Sequence, residues 1–82
     1  MHDLLLIDDE KLILWGLKRD LERSGYRVWA YASAEEALPV AEKQRFHAAV
    51  VDVRLPGMQG TAFLERLKQI DPDVQVIMVT AF

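Results

Sequence analysis

No cysteine occurs among the 82 residues, which excludes a disulfide framework, thiolate chemistry and the cysteine-based zinc patterns. Long apolar runs are missing too. The longest hold four or five residues, where a membrane-spanning helix takes roughly 20. Basic residues number 10 against 13 acidic, a net charge of −3 that gives no footprint for a phosphate backbone. Acidic residues arrive by Asp3 and Asp8, so the N-terminus does not read as a signal peptide. With 4 glycines and 3 prolines there is no linker, repeat or low-complexity tract. What is present is an ordinary globular balance, 51% apolar and 28% charged. The length allows one small domain with a modest core, spanning 1–82. The expectation is a soluble, cytoplasmic module.

The most informative stretch runs from Ala48 to Gly60. A short apolar run, Ala48 to Val51, ends in Asp52 and breaks into a loop containing Pro56, Gly57 and Gly60. Bounded by turn residues, it reads as a buried strand with Asp52 at its carboxyl end. The run Leu4–Ile7 is built alike and ends in Asp8-Asp9-Glu10. From Glu10 the pattern turns helical, with Ile13, Leu14, Leu17 and Leu21 on one face and Gly25 as the stop. Tyr26 to Tyr31 predicts a second strand. Ser33 with Glu36 forms a capping box that opens a helix through about Lys43, with Pro39 inside it expected to loosen the second turn. After Gly60 a third helix turns Phe63, Leu64 and Leu67 inward and closes at Pro72. Val74 to Val79 is the fourth strand.

Alternating strands and helices with short connections argue for a parallel sheet with right-handed crossovers. The order 2-1-3-4 brings the carboxyl ends of the first and third strands together at the switch point, where such sheets place their ligands. That gathers Asp8, Asp9 and Asp52 into one cleft, with Thr80 at the tip of the adjoining strand. Carboxylates so placed repel one another, and a hard divalent ion relieves the repulsion. Magnesium suits the cleft because it takes a few carboxylates and keeps several waters. An aspartate beside it can attack phosphorus and form an aspartyl phosphate.

With Asp8-Asp9-Glu10, with Asp52 followed by Leu55-Pro56-Gly57-Met58-Gln59-Gly60, and with Val79-Thr80-Ala81, the chain resembles a response-regulator receiver domain of two-component signalling. The resemblance covers the whole chain. It implies a flavodoxin-like α/β fold that acts as a phosphoacceptor rather than as an enzyme. It also implies roles. Asp52 is the phosphoacceptor, and Asp9, Asp52 and the backbone carbonyl of Arg54 bind Mg2+ directly. Asp8 reaches the metal through water, Thr80 is the switch hydroxyl, and Ala81 lines the phosphoryl site. The implied partners are a sensor histidine kinase and an output domain or effector, with no direct nucleic-acid contact and no membrane. The stretch Leu12-Ile13-Leu14-Trp15-Gly16-Leu17 resembles, more faintly, receivers of nitrogen-regulatory activator type.

Family members continue with a helix, a fifth strand bearing an active-site lysine and a last helix, which these 82 residues do not include. The expectations drawn from that difference are an impaired site, an open apolar fourth strand and a homo-oligomer formed through that strand or through the uncovered sheet face. A competing reading is an interaction module with an idle acidic site. A phosphatase built on the same carboxylates would want a second aspartate at position 54, which is Arg. His2 and His47 read as isolated surface residues, Trp15 and Trp29 as packing residues, and Lys11 and the Arg54 side chain as solvated.

Overall fold

The structure, a computed structural model, describes residues 2–79. The apolar runs form four strands, β1 (Asp3–Ile7), β2 (Arg27–Tyr31), β3 (Ala48–Asp52) and β4 (Gln75–Val79). Between them lie α1 (Lys11–Arg23), α2 (Ala34–Lys43) and α3 (Gly60–Ile70). All pairings are parallel and the sheet order is β2-β1-β3-β4, as the sequence predicts. Leu4 faces Val28 on one side and Ala48 on the other, so β1 sits inside the sheet.

Period-2 alternation divides the buried side chains between two faces. Leu5, Ile7, Ala49 and Val51 point to the face where α2 and α3 pack, with Ala37, Ala41, Phe63 and Leu67 supplied by the helices. Phe46 and Trp29 meet edge to face there, with ring centroids 6.3 Å apart. On the other face Leu6 and Val28 meet Leu14, Leu17 and Leu21 of α1. Small alanines on α2 let that helix approach closely, and Ser33 caps it by accepting the Glu36 N–H at 3.2 Å. The helix continues through Pro39 to Lys43.

Three expectations need correction. Ile13 is 42% exposed and Trp15 60%, and Leu12 lies almost wholly in water. A helix turns about 100° per residue, so with Leu14, Leu17 and Leu21 toward the sheet Ile13 falls on the flank and Leu12 and Trp15 on the far side. Leu12, Trp15, Gly16 and Arg19 line a shallow groove there. Nor are the histidines isolated. The ladder is extended by Arg27 N–H donating to His2 O and His47 N–H donating to Asp3 O, and the two imidazoles stack with centroids 4.1 Å apart.

At the far end of the sheet, Ile77 of β4 is 56% exposed. Among the described residues no strand pairs with the outer edge of β4, and α1 packs on β1 and β2 rather than here.

Arg27 donates to both carboxylate oxygens of Asp3 across the β1–β2 pair. That hydrogen bond holds the Asp3 carboxyl below its ordinary range. A depressed carboxylate contributes stability above the unfolded-state pKa and loses it as pH falls through the folded one. Asp3→Asn should therefore lower stability slightly at neutral pH, and the difference from the parent should vanish by about pH 2 in urea titrations.

Candidate functional site

The register of β1 on β3 places Ile7 opposite Val51, so the residues that end these strands, Asp8 and Asp52, emerge side by side. Both are buried, and Asp9 follows in solvent. Each buried carboxylate is oriented by the backbone just beyond it. Asp8 Oδ1 accepts from Glu10 N–H at 2.9 Å, and Asp52 Oδ1 accepts from Arg54 N–H at 3.0 Å. These are Asx turns, in which a short side chain satisfies a donor two residues on and fixes its own rotamer. Asp8 N–H, in turn, donates to Tyr31 O at 3.2 Å and ties the cluster to β2.

One ligand oxygen from each of Asp8, Asp9 and Asp52 lies within 4.8 Å of the others. Burial raises the Asp8 pKa above its ordinary value. The Glu10 N–H opposes that shift, and the charges of Asp52, Asp9 and Glu10 add to it. The arrangement concentrates negative charge where solvent screens it poorly, and all its donors are hard oxygens. That donor set fits a hard divalent cation such as Mg2+ or Ca2+ and offers nothing to soft metals.

The structure thus brings together Asp8, Asp9 and Asp52, with Arg54 two residues beyond Asp52. The Arg54 and Lys11 side chains are exposed, as expected. Thr80 and Ala81 lie outside the described residues. Two contacts escape a reading of sequence alone. Gly60, taken there as a loop breaker, is buried against the Asp52 backbone: a Cβ on it would stand 2.1 Å from Asp52 O. Glu35, on the first turn of α2, accepts a hydrogen bond from Met58 N–H at 2.9 Å in the loop after Asp52. The pattern around Gly60 hints at the first only as a turn, and nothing local signals the second.

Comparison with known proteins agrees with this geometry. The family model for the response regulator receiver domain matches residues 4–82. Sporulation initiation phosphotransferase F of Bacillus subtilis (strain 168) is 33% identical over 79 residues, covering 96% of this chain and 64% of that protein. A response regulator from Burkholderia pseudomallei, solved with a phosphorylated aspartic acid, calcium ion and citrate, superposes with a TM-score of 0.92 at 30% identity. The match covers 100% of this chain and 48% of that one. The response regulator TrrA from Thermotoga maritima, solved in complex with Mg2+–BeF, gives 0.93 at 28% identity, covering 100% and 71%. The chain spans less than two thirds of the first two of these.

Because the Gly60 contact is with backbone, no side-chain rotation relieves it. Gly60→Ala should cost about 1–3 kcal/mol, the range for overpacking a filled site. Urea denaturation would measure the loss, and an unchanged midpoint would show that the approach is looser than the structure has it.

Proposed function

Since the chain belongs to the response regulator receiver domain family, we propose that it is the phosphoacceptor module of a two-component response regulator, taking a phosphoryl group onto Asp52 from a sensor histidine kinase in the cytoplasm. The convergence of Asp8, Asp9 and Asp52 at the carboxyl ends of β1 and β3 carries this reading. The phosphorylated aspartic acid of the Burkholderia protein and the Mg2+–BeF of TrrA, on closely superposing folds, support it.

In the proposed step a carboxylate oxygen of Asp52 attacks the phosphorus of a phosphohistidine. An O–P bond forms and the P–N bond breaks, its electron pair remaining on the imidazole nitrogen, which takes up a proton. Arg54 N–H holds Asp52 Oδ1 and so fixes the plane of the carboxylate, leaving the second oxygen as nucleophile. Asp9, Asp52 and the Arg54 carbonyl would hold Mg2+ directly, and Asp8 through water. Bound there, the ion supplies charge neutralisation for the transferring group. Asp8 is pinned by Glu10 N–H and keeps its carboxyl at the cluster. On sequence alone, Thr80 is the hydroxyl proposed to bond a phosphoryl oxygen and Ala81 the small residue beside it. Phosphorylation would then shift a conformational population that an output domain or effector reads. Receiver domains act as signalling modules rather than as enzymes turning over a substrate.

A second reading, that of an interaction module, is favoured by the exposed Ile77 and, among the described residues, by an outer edge of β4 with no strand paired to it. An edge strand of this kind pairs readily with another chain. Under this reading a homo-oligomer forms there and Asp52 is idle.

Two measurements separate these readings. Incubation with a small-molecule phosphodonor and Mg2+ should add one phosphoryl group by intact mass, and chelation or Asp52→Asn should abolish the gain. A folded chain that gains nothing would refute the acceptor reading. Light scattering at micromolar concentration should show a dimer or larger under the second reading, with Ile77→Lys shifting it toward monomer. A monomeric parent would remove the edge-pairing reading.

A further inference from the structure

We propose that Glu35 is a positioning residue for the loop after Asp52, its carboxylate coupling α2 to divalent-cation binding at the acidic cluster. The coupling rests on the phosphoacceptor reading of that cluster, and the contact itself does not.

Residues 53–59 connect Asp52 to α3 and carry Arg54. Both ends of this loop are anchored by the fold. Val53 N–H donates to Val79 O at 2.8 Å, Gly60 N–H to Val53 O at 3.3 Å, and Leu55 is buried. Its middle, Pro56, Gly57 and Gln59, is exposed. There Glu35 reaches across from a different element and accepts the Met58 N–H at 2.9 Å. This bond holds the Glu35 carboxyl below its ordinary range, as expected when a charged acceptor meets a backbone donor.

Two features show that the contact is built into the fold. Glu35 is mounted on a firm base: Ala34 before it is fully buried, and Glu36 after it is locked to the Ser33 hydroxyl by hydrogen bonds of 3.2 and 2.9 Å. The loop is also shaped to receive it. Gly57 has φ +72°, and a Cβ there would stand 2.1 Å from Glu35 Oε2. A Cβ there would push the carboxylate tip aside, and glycine adopts that φ at no cost.

With its middle tied down, the loop is held in one arrangement beside Asp52 before any ion arrives. Without the tie, ion binding must order the loop as it binds, and affinity falls by the fraction of molecules that are not competent. A merely stabilising hydrogen bond would leave that affinity unchanged.

The test uses the whole 82-residue chain, with Glu35→Ala, Glu35→Gln, Gly57→Ala and the Glu35→Ala/Gly57→Ala double variant. Mg2+ titrations and Met58 amide exchange are followed by NMR. Glu35→Ala should speed Met58 exchange and weaken Mg2+ binding by about three- to tenfold, the scale of one ordinary net hydrogen bond. Glu35→Gln keeps an acceptor oxygen and should restore most of both. Gly57→Ala drives a methyl group into the carboxylate's place and should weaken Mg2+ binding too, with the double variant losing less than the sum. Equal Mg2+ affinity in the parent and Glu35→Ala overturns the coupling, as does failure of Gln to rescue. A parent that binds no Mg2+ removes the phosphoacceptor reading and the coupling together, whereas unchanged Met58 exchange in Glu35→Ala removes the contact and the coupling but leaves the phosphoacceptor reading standing.

Discussion

The parallel pairing of β1 with β3 is the constraint on which the rest depends. Once Ile7 stands opposite Val51, the carboxylates that end the two strands have nowhere to go but beside each other. Two unit charges about 4 Å apart repel by roughly 1 kcal/mol in water and 4 kcal/mol at the effective dielectric of a protein surface. The sheet must absorb that cost wherever no cation offsets it. The surroundings of the cluster are arranged to withstand it. Backbone N–H groups of Glu10 and Arg54 each satisfy one carboxylate oxygen, and Gly60 lets the start of α3 lie against the Asp52 backbone. The cluster is therefore a destabilised spot held in place by well-packed neighbours, as sites built to bind an ion commonly are.

Much of this was legible in the sequence because strands in a parallel sheet are buried on both faces. Leu4–Ile7 and Ala48–Val51 announce themselves as unbroken apolar runs, and a carboxylate at the end of each stands out against them. The order 2-1-3-4, read as the arrangement that sets the carboxyl ends of the first and third strands side by side, carried with it the meeting of Asp8, Asp9 and Asp52. The helical stripe of α1 was read less well. Apolar residues occupy almost its whole first turn and a half, so periodicity alone could not say that Ile13 and Trp15 face away from the sheet. Two side-chain contacts between distant segments were not legible. Glu35 meets Met58, and His2 meets His47, through the register of strands and the placement of α2 rather than through any local pattern.

The two faces of the sheet are unequal. Beneath α2 and α3 lies the larger cluster, with Leu5, Ile7, Ala49, Val51 and Phe63 all at or below 1% exposure. Beneath α1, among the described residues, Leu6, Leu14 and Val28 form the buried centre. Asp52 leads directly into the loop and helix of the better-packed side, and Asp8 and Asp9 lead into α1 on the thinner one.

The inner position of β1 has a bearing on how the chain acquires its shape. β1 is made first, yet its neighbours are recruited late: Asp3 finds Arg27 only after α1 has been spanned, and Leu4 finds Ala48 only after β2 and α2 as well. Among the described residues there is no hairpin to nucleate the sheet, since every pairing is parallel and spanned by at least one helix. Loop closure has to precede each gain in buried surface, which places the barrier to folding in non-local contacts and slows the search. During synthesis the strand Leu4–Ile7 emerges as an apolar segment with both edges open; β2 can close one edge once α1 is spanned, and the other stays open until β3 follows.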